Sequence, residues 1–197
     1  ERLGRGAGAV INLARELSSR RLVAIKHVIR QTDEDDKFLA QAENEYEVAR
    51  QIEHPYLRRC YEIARVRRGL KLREVILVME YVAGGRLEEH RPDDLKRTIA
   101  IFKQVAEGLH ALHGLGYAHC DIKPNNILLR PDGGLKIIDF GQSCRLGAIK
   151  ERIQGTPDYI APEQVLRKEI DQRTDVFNVG ATMYWTLTGK FFKTLLA

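Results

Sequence analysis

Residues 117–141 constrain this chain more than any other stretch: Tyr-Ala-His-Cys-Asp-Ile-Lys-Pro-Asn-Asn-Ile-Leu-Leu-Arg-Pro-Asp-Gly-Gly-Leu-Lys-Ile-Ile-Asp-Phe-Gly. Two apolar runs, 127–129 and 135–138, flank Pro131-Asp132-Gly133-Gly134, the pattern of a β-hairpin. Asp121, Lys123 and Asn126 lie on its entry side and Asp139 on its exit side. A hairpin brings its ends together, so two carboxylates, an amide and an ammonium should meet at one end of a small sheet. Carboxylate and amide oxygens suit Mg²⁺, which takes few protein ligands and leaves the rest to water and phosphate. The second carboxylate and the ammonium remain to handle a nucleophile and a phosphate.

At 197 residues the chain can form one large domain or two small lobes. Its hydrophobic content of 44% and charged content of 30% fit a water-soluble globular protein. No apolar run reaches the roughly 18 residues of a membrane helix. The opening Glu-Arg-Leu-Gly-Arg-Gly has no signal-peptide core. Cys60, Cys120 and Cys144 make no disulfide framework, so a reducing, cytoplasmic setting is expected. The net charge of +5 suits a basic surface around a phosphate site better than a nucleic-acid binder.

Other stretches carry weaker signals. Leu3-Gly4-Arg5-Gly6-Ala7-Gly8-Ala9-Val10-Ile11 is rich in small residues that let backbone N–H groups approach an anion. Leu22-Val23-Ala24-Ile25-Lys26 reads as a strand ending in lysine, after a turn at 17–21. Within 33–52, Phe38, Ala42, Tyr46 and Ala49 recur at helical spacing. The segment 57–73 is dense in arginine and lysine and reads as a solvated hairpin turning at Gly69. In the helix expected over 92–115, Ile99, Phe102, Val105, Ala106, Leu109 and Leu112 form the core-facing stripe. His110 and His113 read there as packing or surface residues, and Cys120 and Cys144 as two buried free thiols.

Asp121-x-Lys123-Pro124-x-Asn126, with Asp139-Phe140-Gly141 beyond the hairpin, resembles the catalytic loop and Asp-Phe-Gly segment of protein kinases. The similarity is to the eukaryotic-like, Hanks-type serine/threonine kinases, and the compact pattern looks like their bacterial members. It extends over the whole chain: the Gly-rich stretch, the Val-Ala-Ile-Lys string, a hinge-like 74–85, and Ala161-Pro162-Glu163. The resemblance implies an α+β, two-lobed fold. A small β-rich lobe with one helix would span 1–82, and a mainly helical, incomplete lobe 83–197. The family's domain continues with further helices, so the chain is expected to be a C-terminally truncated piece of a longer protein.

The implied function is transfer of the γ-phosphoryl group of ATP to Ser or Thr hydroxyls of proteins, with Mg²⁺, or alternatively Mn²⁺, as the metal. Leu3, Gly4, Arg5, Gly6, Ala7, Gly8, Ala9 and Ile11 would cover the nucleotide, with Ala9 standing where a third glycine is usual or, in a register shifted by one, Gly8 serving as that glycine. Ala24, Met79 and Leu128 would line the adenine pocket, and the backbone of Glu80 and Val82 would bond its edge. Arg86 stands where some relatives carry an acid for the ribose. Lys26 would contact the phosphates, paired with Glu45, which its distance from His54-Pro55 selects over Glu43 and Glu47. Asn126 and Asp139 would hold the metal, Asp121 would act as base and Lys123 would balance charge. Gly155-Thr156-Pro157 would dock the substrate. Asp175 would hold the catalytic loop backbone from the central helix, and Glu163 would lack the arginine that usually pairs with it.

One departure is informative. Cys120 replaces the arginine of the usual His-Arg-Asp, which pairs with a phosphate on the activation loop. Between Gly141 and Pro162 the hydroxyls are Ser143, Thr156 and Tyr159 alone, while Lys150 and Arg152 occupy the middle of the loop. Activity independent of loop phosphorylation is therefore expected. The alternative is a catalytically silent nucleotide-binding adaptor. Protein substrates are the expected partners; nucleic acid and a membrane segment are not expected.

Overall fold

The computed structural model describes residues 1–6 and 8–192; Ala7, assigned above to the Gly-rich loop, lies outside them. Two compact units form, one from Glu1–Glu53 and Arg58–Val82, the other from His54–Leu57 and Ala83–Ala197. A single cut at residue 82 therefore misplaces 54–57. The Ile137 N–H donates to the Tyr56 carbonyl at 2.8 Å, and Lys136 Nζ donates to the Leu57 carbonyl at 3.1 Å. These bonds seat the segment in the second unit.

The first unit is a five-stranded antiparallel sheet with one long helix. Its strands are β1 (Arg2–Gly6), β2 (Ala9–Arg15), β3 (Leu22–Ile29), β4 (Cys60–Arg68) and β5 (Lys71–Glu80), in the order β1-β2-β3-β5-β4. Helix α1 (Asp36–Ala49) falls between β3 and β4. Gly69 takes φ 60° in the turn expected between the basic strands. Val23, Val28, Val75 and Leu77 of the central strands are buried. The buried face of α1 is Leu39, Ala42, Glu45, Val48 and Ala49, not the stripe beginning at Phe38. The helix is rotated by about one residue from the apolar pattern because Glu45, which that pattern ignores, points inward.

The second unit is mainly helical. Strand β6 (Gly85–Arg86) leads to α2 (Leu95–Gly114), β7 (Tyr117–Ala118), β8 (Ile127–Leu129), β9 (Leu135–Ile137) and β10 (Cys144–Arg145). Helices α3 (Pro162–Val165) and α4 (Gln172–Thr188) follow. Strands β8 and β9 form the expected hairpin, with Ile127 opposite Ile137, and β6 adds alongside β8. Asp94 caps α2 by accepting from the Arg97 N–H at 2.7 Å. The buried stripe of α2 is Thr98, Ile101, Phe102, Val105, Gly108, Leu109 and Leu112. Ile99, expected inside, is 52% exposed. Thr98 and Gly108 carry the true face, and neither registers as apolar in the sequence. A Cβ on Gly108 would stand 3.2 Å from Ile137 and 3.3 Å from Leu57, which is how closely α2 meets that layer.

The buried face of α4 is polar: Thr174, Asp175, Asn178, Thr182 and Thr186, with Ala181. Val176 and Leu187 face outward at 65% and 47% exposure. Gly189, at φ 70°, ends this helix. Glu163 is not orphaned, since it accepts from the Thr174 hydroxyl at 2.5 Å. No described helix is long and apolar enough to cross a membrane.

Gly84 marks the tightest backbone approach. It sits at φ 150°, and a Cβ there would lie 1.9 Å from the Leu129 carbonyl oxygen. Gly84→Ala should lower stability by about 2–4 kcal/mol in urea denaturation. Gly114→Ala, with no atom within 4 Å of the added carbon, should stay within about 1 kcal/mol of the parent.

Candidate active site

In the first unit, sheet register gathers one set of expected residues. Leu13, Ala24 and Met79 stand abreast, as do Ile11, Lys26 and Leu77. Directly opposed residues share a face, so Ile11, Ala24, Lys26 and Met79 project to the same side. Ala24 and Met79 are buried. The Glu80 N–H donates to the Arg59 carbonyl at 3.0 Å. Val82 closes the unit two residues beyond β5. Leu3, Gly4, Arg5 and Gly6 belong to β1, which pairs with β2 from Gly4↔Ile11 to Gly6↔Ala9. Gly8 adopts φ 68°, and a Cβ on it would lie 2.5 Å from Phe38, so any other side chain there would be strained.

Glu45 is 1% exposed, and its two oxygens meet two cations. Oε2 lies 2.6 Å from Lys26 Nζ and Oε1 lies 2.7 Å from Nη2 of Arg58. Glu43 instead pairs with Arg65 of β4 at 2.7 Å, half-exposed, and Glu47 pairs with Arg50 at 2.9 Å. Arg58, read from sequence as part of a solvated basic run, is 6% exposed. Nothing local marks it, since its partner sits on a helix thirteen residues earlier.

In the second unit, Asp121, Lys123, Asn126 and Thr156 form one network around the Asp121 carboxylate, which is 4% exposed. Lys123 Nζ lies 2.9 Å from Asp121 Oδ2 and donates to the Thr156 hydroxyl at 2.7 Å. That hydroxyl donates to Asp121 Oδ1 at 2.9 Å. Asn126 Nδ2 donates to the Asp121 carbonyl at 2.8 Å and to Oδ2 at 3.2 Å. The Ile138 N–H donates to the Asn126 carbonyl at 2.9 Å, which places Asn126 beside the strand end carrying Asp139. Leu128 lies half-buried on β8, opposite Arg86. Gly155, at φ 141°, packs against Ile160 and precedes Thr156 and Pro157.

This geometry is held from behind. Cys120 and Asp139 both adopt φ 66°, a conformation that costs a non-glycine residue free energy and recurs at functional sites. Asp175, fully buried, accepts from the backbone N–H of His119 and of Cys120, each at 2.8 Å. His113 Nε2 lies 2.8 Å from the same carboxylate, a contact that its reading as a packing or surface residue does not capture. Gln164 Nε2 donates to the Cys120 carbonyl at 2.8 Å, and the Thr182 hydroxyl to the Ile122 carbonyl at 3.1 Å. Gln164 and Thr182 escape sequence reasoning because they serve backbone atoms far along the chain.

The Cys120 and Cys144 sulfurs lie 3.6 Å apart, beside a small core of Ala118, Cys120 and Ile170. Their mutual hydrogen bond raises the Cys120 thiol pKa well above its ordinary value and lowers that of Cys144. Burial, reinforced by Glu45, pushes Cys60 up to about 12.

Metal fit rests on donor chemistry. Among the described residues no three His, Cys, Asp or Glu side chains gather as a metal cluster. Asn126 and Asp139 carry an amide and a carboxylate oxygen, donor types that suit a hard cation that completes its shell with water and phosphate. The Asn126 amide N–H is occupied by Asp121, which turns its oxygen away from that carboxylate.

A β-rich unit bearing a Lys–Glu pair and a mainly helical unit bearing this loop define the class of fold to which the chain belongs. The chain belongs to the protein kinase family, whose domain model matches residues 1–194. It is 32% identical, over 95% of its length, to CBL-interacting serine/threonine-protein kinase 18 of Arabidopsis thaliana. It is 30% identical to Aurora kinase C of Mus musculus and 29% identical to PknA of Corynebacterium glutamicum, each over 95% of the chain. The chain spans 37%, 68% and 42% of those three proteins.

Iodoacetamide at pH 8 should alkylate Cys144 before either Cys60 or Cys120, since the thiolate is the reacting species and both of those thiols are pushed well up. Cys120→Ala should slow labelling of Cys144 by removing the donor that lowers its pKa. Peptide mass spectrometry over time reads both, and faster labelling of Cys60 would contradict the assignment.

Proposed function

We propose that this chain is a protein serine/threonine kinase that moves the γ-phosphoryl group of ATP to Ser or Thr hydroxyls of proteins. The observation that supports this best is the closed triangle of Asp121, Lys123 and Thr156. Asp121 Oδ1 already accepts from a threonine hydroxyl, the same chemical group that a protein substrate would present. A substrate hydroxyl bound there would be oriented and its proton accepted by Asp121. Lys123 would balance charge on the transferring group, and Gly155-Thr156-Pro157 would seat the flanking peptide.

Lys26, oriented by Glu45, would contact the α- and β-phosphates, and backbone N–H groups of Gly4, Gly6 and Gly8 would cradle them. Ile11, Ala24, Met79 and Leu128 would enclose the adenine, whose edge would meet the backbone of Glu80 and Val82. Asn126 and Asp139 would hold Mg²⁺, which when bound neutralises charge between phosphate oxygens. Little covalent chemistry falls to the protein, so positioning and electrostatics carry the acceleration.

We further propose that loop phosphorylation is unnecessary. The hydroxyls of the segment are otherwise engaged: Ser143 donates to the His119 carbonyl, Thr156 to Asp121, and Tyr159 is 8% exposed. Lys150 donates to the Gln142 carbonyl, an internal tether in the middle of the segment. Residues 147–149 bond back to 169–170. Neutral packing of Cys120 replaces the arginine–phosphate pair.

Labelled ATP and a generic protein substrate test both statements. The parent chain, shown by mass spectrometry to carry no phosphate on 141–162, should transfer label, and Asp121→Asn should lose about 100-fold or more. Binding of ATP without transfer would instead mark an adaptor. Activity that appears only after phosphate enters 141–162 would overturn the second statement.

A further inference from the structure

A buried primary amide has two N–H donors and two oxygen lone pairs to satisfy, and each one left unmet is destabilising. Gln164 is 2% exposed, and all four of its positions are filled. Its Nε2 donates to the Cys120 carbonyl at 2.8 Å and to the Gln154 carbonyl at 2.9 Å. Its Oε1 accepts from the Ala161 N–H at 3.0 Å and from Asn178 Nδ2 at 3.2 Å. These partners allow one orientation of the amide. Turned over, its oxygen would face two carbonyls and its nitrogen an N–H.

The two donated bonds go to particular peptide groups. One carbonyl immediately precedes Asp121 and the other immediately precedes Gly155. A few bonds further along, the Thr156 hydroxyl donates to Asp121 Oδ1 at 2.9 Å. A single nitrogen therefore ties the backbone behind the carboxylate to the backbone behind 155–157. Gly155 permits the approach, since a Cβ there would stand 3.3 Å from Gln164 Nε2 and 2.8 Å from Ile160. Asn178 anchors the clasp to α4, and its Nδ2 also donates to the Tyr159 carbonyl at 2.7 Å.

We propose that Gln164 is a positioning residue for the protein substrate. It sets the separation between Asp121 and 155–157, so that an acceptor hydroxyl held along that segment meets the carboxylate. The inference rests on the kinase reading above. The residues it bonds, Cys120, Gln154, Ala161 and Asn178, are none of those assigned to ATP or metal, so its effect falls on the acceptor and not on the nucleotide. Thr186 supplies an internal comparison. It is equally buried at 2% exposure, but its hydroxyl donates to the Thr182 carbonyl within α4 at 2.8 Å.

The test compares the whole chain with its Gln164→Met and Thr186→Val variants, well below their melting temperatures. Steady-state kinetics use dephosphorylated casein and histone as acceptors, and equilibrium binding of MgATP is measured alongside. Gln164→Met keeps the side chain's length and removes its hydrogen bonds. It should lower kcat/KM for the acceptor about 10- to 100-fold and hold MgATP affinity within about twofold, the signature of a misplaced acceptor. Thr186→Val should leave both quantities unchanged. An unchanged kcat/KM in Gln164→Met overturns the proposal. So does an equal loss in MgATP affinity or in Thr186→Val, the mark of general loosening. Should Gln164→Met fail to fold by thermal melting, Gln164→Glu at pH 8, which keeps the accepted bonds and breaks the donated ones, carries the same comparison. A parent chain that phosphorylates neither acceptor overturns the kinase reading and the role of Gln164 with it; an active parent with a parent-like Gln164→Met variant overturns that role alone.

Discussion

The geometry of the loop around Asp121 hangs on one buried carboxylate. Asp175 has no exposed surface, and it accepts from two consecutive backbone N–H groups, those of His119 and Cys120. Cys120 is left-handed at φ 66°, a conformation that costs about 1–3 kcal/mol in a non-glycine residue. Hydrogen bonds to a charged acceptor contribute roughly 1.5–3 kcal/mol each, enough to hold that turn. The turn in turn presents Asp121 beside Lys123, Asn126 and Thr156. Helix α4 serves less as an apolar wall than as a rack of hydrogen-bonding groups. Asn178 donates to the Tyr159 carbonyl and Thr182 to the Ile122 carbonyl, each fixing a stretch of irregular backbone that has no strand partner.

The two units solve different electrostatic problems. The second surrounds a carboxylate with hydrogen-bond donors and one ammonium, so that it stays poised within reach of a hydroxyl. The first holds a buried carboxylate between two cations, one on each oxygen. The Cys120 thiol packs among Ala118, Ile170, Cys144 and Leu146. Lys150 holds the following segment through the Gln142 carbonyl.

Periodicity failed wherever a polar residue faced inward. In α1 the apolar pattern missed the true face by about one residue because Glu45 lies on it. In α2, Ile99 and Ala106 are exposed, while Thr98 and Gly108 line the interior. In α4 the interior is threonine, asparagine and aspartate. Each of these groups is buried because a partner satisfies it or because a small side chain permits close approach, and neither condition is visible in a hydropathy pattern.

Residue order alone determined the hairpin at 127–137, the turn at Gly69, a strand from Leu22 that carries Lys26, although it runs on to Ile29 and does not end at the lysine, and the loop motif, because turn chemistry and motif spacing are short-range properties of the chain. Through the family resemblance it also selected Glu45, over Glu43 and Glu47, as the lysine's partner, which the fold bears out. Only the folded chain decided that Arg58 is buried against Glu45, that His113 meets Asp175, and that the Cys120 and Cys144 sulfurs touch. Those outcomes depend on helix rotation, strand register and contacts between residues far apart in sequence, where a single step of register turns a side chain from solvent to core.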